Sequence, residues 1–131
     1  MSSRRQVVID SNLVIYAAAD PLGVAARFLR TVEPVVSAIT MVEVLGFPRL
    51  TVREKAALEE SFAAATVVAI EDAIVQRAIA IRQSKKTSLG DAIIAATALE
   101  YGLELATRNV ADFRWIAALR VIDPFAAAPA T

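Results

Sequence analysis

The sequence contains no cysteine and no histidine among its 131 residues. Disulfide bridges, thiolate catalysis and zinc sites built on cysteine or histidine are therefore excluded, and so is acid–base chemistry by an imidazole ring. Any bound metal has to be held by oxygen atoms, which favours Mg²⁺ or Mn²⁺ over softer ions. Chemistry at any active site therefore has to rely on carboxylates, hydroxyls and water.

The chain also lacks a net charge and a long apolar run. Its 14 basic and 14 acidic residues balance, so a nucleic-acid partner would have to be met by a local basic patch. The hydrophobic fraction is 56%, but runs such as 92–96 are far shorter than the roughly 20 residues of a membrane span. Residues 1–6, MSSRRQ, contain no apolar export signal. We expect a single domain over 1–131, in the cytoplasm and not in a membrane.

Short runs rich in Val, Ile or Leu alternate with helical patterns along the chain. The predicted strands are 6–9, 34–38, 66–70, 103–107 and 120–122. The predicted helices are 13–18, 22–32, 41–47, 52–65, 71–84, 89–101 and 113–119. This alternation predicts an α/β fold with a central, mostly parallel five-stranded sheet flanked by helices. Residues 124–131 are expected to form a C-terminal tail.

Four acidic residues occupy related positions in this pattern. Asp10 ends the first apolar run, Glu43 follows the second predicted strand and Asp112 follows the fourth. Carboxyl ends of parallel strands meet at one edge of a sheet, and Asp91, at the start of a helix, can face that edge. Four carboxylates within about 5 Å would repel each other by roughly 3 kcal/mol per pair at an effective dielectric near 20. A divalent cation is the natural counter-charge for such a cluster.

Helix capping is the competing hypothesis for three of these acids. Thr40, Ser88 and Asn109 are each followed three positions later by an acid, which is the pattern of a capping box. A helix cap of this kind contributes about 1 kcal/mol and requires no ligand. Ser11 and Asn12 are likewise expected to cap the first helix. If capping is their whole role, the chain is a non-catalytic acidic binding module.

Four stretches of the sequence resemble a known family. They are VIDSNLVIYA, SAITMVEVLGFPRL, SLGDAIIAATALEYGLELATRNVADF and the closing RVIDPF. Their order, spacing and flanking residues resemble the PIN-domain ribonucleases, and more narrowly the VapC-type toxins of bacterial toxin–antitoxin pairs. The resemblance covers nearly the whole chain. It implies a compact α/β domain that is a Mg²⁺- or Mn²⁺-dependent endoribonuclease, usually dimeric and silenced by a cognate antitoxin.

The resemblance also implies roles for single residues. The family's first three acids fall on Asp10, Glu43 and Asp91, which are the expected metal ligands and catalytic groups. The fourth position falls on Asn109, which brings no charge, so we expect Asp112 to complete the catalytic set. The residues expected to orient these ligands are Ser11, Asn12, Thr40 and Asn109. Water activated by the metal would attack phosphorus in line and leave 5′-phosphate and 3′-hydroxyl ends.

Basic residues near the acids are candidate RNA contacts. Lys85 and Lys86 precede Asp91 by a few positions, and Arg108 follows the fourth predicted strand. A solvated helix end would explain them as well, because basic residues favour helix C-termini. Single-stranded loops are the expected target, since a splayed backbone can approach a shallow metal site. Core or interface packing is favoured over base stacking for Phe28, Phe47, Phe113 and Trp115.

The apolar surplus predicts exposed apolar surface, above all around 45–47 and on the alanine-rich helices. An antitoxin helix or a second copy of the chain would cover such a surface. A generic PIN nuclease without an antitoxin stays an alternative, as does the non-catalytic module. Metal-dependent RNA cleavage would separate the enzymes from the module.

Overall fold

The computed structural model of the protein describes residues 4–126. Within that range the strands are β1 (Gln6–Ile9), β2 (Glu33–Ser37), β3 (Thr66–Val68), β4 (Glu104–Ala106) and β5 (Val121–Ile122). The helices are α1 (Ser11–Ala19), α2 (Val24–Thr31), α3 (Ala38–Leu45), α4 (Val52–Ala63), α5 (Asp72–Ser84) and α6 (Leu89–Tyr101). A 3₁₀ turn covers Val110–Asp112. The predicted α/β class is confirmed.

The five strands form one sheet in the order β3-β2-β1-β4-β5, and every neighbouring pair is parallel. The prediction of a five-stranded, mostly parallel sheet is therefore confirmed. From β1 the sheet grows through β2 and β3 on one side and through β4 and β5 on the other. The strand order thus reverses between β1 and β4. Open parallel sheets bind their ligands beyond the carboxyl ends of the strands at such a reversal.

Apolar side chains cover both faces of the sheet, as parallel strands require. One cluster packs α5, α6 and Phe113 against Val8. The other packs α1, α2 and α4 against Val7 and Ile9. Consecutive residues of β1 thus alternate between the two faces, with the period of two of a strand. Because β1 is buried on both sides, the next residue, Asp10, is held at a fixed place.

The start of α3 differs from the prediction. Ser37 is its N-cap and accepts a hydrogen bond from a main-chain N–H two residues on (3.2 Å). Thr40 therefore lies inside the helix, and the capping box predicted for Thr40 and Glu43 was wrong. A complete capping box forms at α4 instead, between Thr51 and Glu54, where both reciprocal bonds are present.

Two further capping predictions were wrong. Asp10 is itself the N-cap of α1, so Ser11 and Asn12 are the first two helical residues and not its caps. Asn109 precedes a 3₁₀ turn, and its side chain makes no capping bond there. The helix after β1 thus starts one residue earlier than the local polar pattern indicates, whereas the turn after Asn109 starts where predicted but without a side-chain cap.

The segment 113–119 was predicted as a helix and is a series of tight turns. Its backbone bonds span three residues, as from the Ile116 N–H to the Phe113 oxygen (3.0 Å) and from the Leu119 N–H to the Ile116 oxygen (3.3 Å). Ala118 has a φ of 67°, which an α-helix does not contain. The helix-like spacing arises because Phe113 and Ile116 are both buried in the core.

The helices formed by residues 4–126 include none that is long and apolar enough to cross a membrane. Most of the tail expected at 124–131 lies outside the described residues. Its described part forms a turn, in which Phe125 is partly buried and packs against the cluster of α1, α2 and α4.

Candidate active site

Asp10 stands at the carboxyl end of β1 with only 4% of its surface exposed. Its main-chain N–H donates to the Ala106 oxygen at the end of β4 (3.0 Å). The hydroxyl of Thr107 donates to Asp10 Oδ2 (2.7 Å) and accepts a bond from the Asn109 N–H (3.0 Å). Two adjacent strands therefore fix the Asp10 carboxylate at the point where the strand order reverses.

Helix α3 brings Glu43 to the same edge from the neighbouring strand. The Ser11 hydroxyl lies 2.9 Å from Glu43 Oε1 and 3.1 Å from the Thr40 hydroxyl. Thr40 is completely buried, so this contact joins the start of α1 to the core of α3. On its other side the Glu43 carboxylate rests against Gly90, where an added Cβ would lie 2.7 Å from Glu43 Cδ. The close approach of Glu43 to Gly90 brings it to the start of α6.

Asp91 enters the site from the first turn of α6. Ser88 is the N-cap of this helix and accepts a hydrogen bond from the Asp91 N–H (3.1 Å), which is the half of the predicted capping box that forms here. Burial and then the negative charge of Asp10 raise the pKa of Asp91 to about 6, although the Ser88 hydroxyl acts in the opposite direction. The charges of Asp112 and Glu43 add to the increase. Asp91 is therefore within electrostatic reach of all three other acids.

The four acids share one edge of the sheet without a basic partner. Burial raises the pKa of Asp10; the Thr107 hydrogen bond lowers it, and the charges of Glu43 and Asp112 raise it again. The ion pairs formed within residues 4–126 involve none of the four. Within the described chain no lysine or arginine therefore forms an ion pair that would offset their mutual repulsion.

The donor atoms at this edge suit a divalent metal, because carboxylate oxygens are the ligands that Mg²⁺ and Mn²⁺ prefer. As arranged here, no three Asp or Glu side chains between residues 4 and 126 form a ready-made ligand set. Asp10 is buried and fixed, whereas Glu43 is exposed and Asp91 is half-buried. The residues thus fit such a metal by charge and donor type, and rotation of Glu43 and Asp91 toward Asp10 would be needed to hold it.

Only some of the residues predicted to orient the ligands contact the acids. Ser11 meets Asp10 through its main-chain N–H, while its hydroxyl contacts Glu43. Asn12 is exposed on α1, and its side chain forms no hydrogen bond within the described chain, so its orienting role stays a prediction. Asn109 is also exposed and contributes its main-chain N–H alone. An exposed amide side chain next to a buried acid is thus not evidence of contact with it.

Two residues of the site were not predicted. Thr107 is fully buried and bonds to Asp10, but the pairing of β1 with β4 that brings them together has no local pattern in the sequence. Gly90 allows the close approach of Glu43. A glycine in the first turn of a helix, directly before an acid, indicates such an approach and could have been noticed.

The cations predicted to contact RNA are Lys85, Lys86 and Arg108, and all three are exposed. Lys85 Nζ lies 5.2 Å from the centre of the Trp115 ring. Arg108 Cζ lies 4.3 Å from the ring centre of Phe125 and 5.5 Å from that of Tyr16. Within the described residues Lys86 rests on no ring. Two of the three cations are therefore positioned by aromatic side chains.

Comparison with known proteins identifies the family. The sequence model of the PIN domain family matches residues 7–119 of this chain. The chain belongs to the PIN domain family. It is similar to a solved toxin–antitoxin complex from Klebsiella pneumoniae, with 30% identity and a TM-score of 0.76 over 90% of this chain and 97% of that one. The resemblance to PIN-domain toxins is thereby confirmed.

More distant structures share the fold. VapBC2 from Rickettsia felis, bound to a DNA fragment from its promoter, is 15% identical with a TM-score of 0.78, covering 90% of this chain and 98% of that one. VapC20 from Mycobacterium tuberculosis, a toxin that cleaves the sarcin–ricin loop, is 11% identical with a TM-score of 0.58, covering 78% and 87%. A search of curated protein sequences found no match. At these identities the likeness concerns the fold alone.

Proposed function

We propose that the protein is the toxin of a toxin–antitoxin pair and an endoribonuclease that depends on Mg²⁺ or Mn²⁺. Membership of the PIN domain family and similarity to a toxin–antitoxin complex support this proposal. The observation that carries it is the group of four acids, centred on buried Asp10, at the reversal of the strand order without a basic partner. Capping alone does not explain an acid buried at that place. A toxin that cuts RNA would act on its substrate in the cytoplasm.

Each acid has a distinct part in this proposal. Asp10, Glu43 and Asp91 would hold the metal, which supplies a water acidic enough to act as nucleophile near neutral pH. The Asp10 carboxylate is held in place by Thr107, and Glu43 and Asp91 would rotate toward it. Because the pKa values of Asp10 and Asp91 are raised, metal binding releases protons and tightens as the pH rises. Asp112, exposed on its 3₁₀ turn, would take the fourth acidic role.

An apolar groove between three helices supports an antitoxin as partner. Its cavity of about 320 Å³ lies between α1, α3 and α4, with apolar lining from Ile15, Val44, Phe47, Leu50 and Leu58. Phe47 is 56% exposed, so its place is an interface and not the core. An amphipathic antitoxin helix suits such a groove. Since α1 and α3 also lead to Asp10 and Glu43, a basic side chain of that partner would reach the acids.

A homodimer is the assembly that we propose for the toxin. Val75 and Ile79 form an exposed apolar pair four residues apart on α5. They belong to the helix layer on the opposite face of the sheet from the antitoxin groove. A second copy of the chain could therefore pack there without covering the groove.

The nuclease proposal is tested with purified protein and total RNA. Cleavage is expected with Mg²⁺ or Mn²⁺, with 5′-phosphate and 3′-hydroxyl ends at the mapped cuts, and EDTA is expected to abolish it. Expression without a partner should arrest growth. Cleavage without growth arrest and without a co-purifying small protein would indicate a generic PIN nuclease. Intact RNA in the presence of either metal would leave only the non-catalytic module.

Gly90→Ala tests the position of Glu43. The added methyl group overlaps the Glu43 carboxylate, and a displacement near 1 Å at a catalytic group reduces rates about 100-fold. Alanine is also the better helix former, so the melting temperature is expected to stay the same or rise. Shortening the displaced group in the double variant Gly90→Ala with Glu43→Asp should recover part of the cleavage. Wild-type cleavage rates in Gly90→Ala would show that catalysis does not require the contact of Glu43 with Gly90.

A further inference from the structure

Two cations near the acids rest on aromatic rings and have no carboxylate partner. Arg108 lies against Phe125 and Tyr16, with Cζ 4.3 and 5.5 Å from the ring centres, and the two rings meet edge to face at 5.8 Å. Lys85 lies 5.2 Å from the centre of the Trp115 ring. Within the described chain neither side chain donates a hydrogen bond or forms an ion pair. Their N–H groups therefore stay available to a ligand.

These groups lie on opposite faces of the sheet. The Arg108 platform consists of Arg108, Tyr16 and Phe125, and the Lys85 platform consists of Lys85 and Trp115. Phe125 packs against the apolar cluster of α1, α2 and α4, whereas Trp115 packs against the cluster of α5 and α6. Each platform thus belongs to a different helix layer.

Both platforms are joined directly to the acidic edge. Arg108 follows Thr107, whose hydroxyl bonds to Asp10 (2.7 Å). On the other side the Trp115 Nε1 donates to the main-chain oxygen of Asp112 (2.9 Å). The acids therefore lie between two ring-supported cations, one on each side of the sheet edge.

We propose that the Arg108 and Lys85 platforms anchor one single strand of RNA that crosses the acidic edge from one helix layer to the other. This inference rests on the proposed function and names the path of its substrate. Phosphates that approach the acids are repelled, so cations on both sides have to hold the strand. A cation already ordered on a ring loses less rotamer entropy on binding, and exposed ring surface can stack with bases of any sequence.

The test measures binding to Asp10→Asn protein in Mg²⁺, by the fluorescence anisotropy of a labelled RNA of about ten nucleotides. Lys85→Ala should weaken binding about 10-fold, through loss of a phosphate contact and its ring support. Lys86→Ala removes the same charge one residue along and should weaken it no more than about 3-fold. Arg120→Gln removes a charge at the opposite edge of the sheet and serves as the control. Lys85→Arg, which keeps a cation for the ring, should restore binding.

Removing the rings distinguishes RNA binding by ring-supported cations from RNA binding by charge attraction alone. Tyr16→Leu and Phe125→Leu keep every charge, so affinity should fall about 3- to 10-fold while its salt dependence stays the same. Melting curves identify any variant that does not fold. Because there are two ring variants, the test can still be made if one of them does not fold. Trp115 is the single tryptophan of the sequence. Its emission should therefore change with the same midpoint as the anisotropy.

Several results would overturn the inference without touching the nuclease proposal, provided that the wild-type protein cuts RNA. They are equal losses in Lys85→Ala and Lys86→Ala, full affinity in both ring variants, and Trp115 emission that does not change at saturating RNA. A duplex of the same sequence that binds as tightly as the single strand would exclude the proposed single-stranded path across the acidic edge. If the wild-type protein neither binds nor cuts RNA, the proposed function itself fails.

Discussion

Asp10→Asn is expected to lower RNA cleavage more than about 100-fold, since even a residue that only orients a metal ligand contributes about 10- to 100-fold. The fold should be at least as stable as the wild type. Asparagine has nearly the same shape, and its amide oxygen can accept the Thr107 hydrogen bond in place of Asp10 Oδ2. Burial raises the pKa of Asp10, which means that the charged form is disfavoured where it stands. Cleavage rates and melting curves of the purified variant measure both effects.

Thr107→Val is the matched comparison for this variant. It removes the hydroxyl that supports the Asp10 carboxylate and leaves the buried charge without that bond, which should destabilise the fold by about 1–3 kcal/mol. Cleavage should fall about 10- to 100-fold, because the ligand is no longer held in place. Undiminished cleavage by Asp10→Asn would remove Asp10 from the active site. A loss of stability as large as that of Thr107→Val would show that Asp10 serves the fold.

The sheet and the long helices were predictable because their determinants are local. Strands buried on both faces require continuous apolar runs, and QVVI at β1 is such a run. Helix α6 has the predicted bounds because both of its ends are marked in the sequence. Ser88 caps the start, and Gly102 ends the helix with a φ of 64°, a conformation that glycine adopts without strain.

The details of the site depend on contacts between distant parts of the chain. Thr107 and Asp10 are 97 positions apart, and only the pairing of β1 with β4 brings them together. Ser37 and Thr40 are both suitable caps and both are buried, and the helix starts from Ser37 because that residue ends β2. The acids themselves were identifiable, because topology sends carboxyl ends of parallel strands to one edge. Their hydrogen-bond partners were not.

Asp91→Asn is expected to stabilise the metal-free protein at pH 7 by about 1–2 kcal/mol while it abolishes cleavage. The pKa of Asp91 is raised from 3.8 to about 6, chiefly by burial and then by the charge of Asp10. Between these two values the folded state keeps a proton that the unfolded chain has released, so stability falls as the pH rises from 4 to 6. The difference corresponds to about 3 kcal/mol, and solvent screening of this half-buried group reduces it to about 1–2 kcal/mol.

The pH dependence and metal dependence of the melting temperature show whether Asp91 is repelled by the neighbouring acids or serves only as a helix cap. At pH 5 folded Asp91 is mostly protonated, so the gain from Asp91→Asn should shrink. Mg²⁺ should raise the melting temperature of the wild type through binding to the native state, and that of the variant much less. Asp72→Asn makes the same change in the first turn of α5 and should destabilise by a few tenths to about 1 kcal/mol, without a metal response. If Asp91→Asn behaves like Asp72→Asn, Asp91 is only a cap; if the two differ in sign, the fold holds Asp91 against the repulsion of its neighbours.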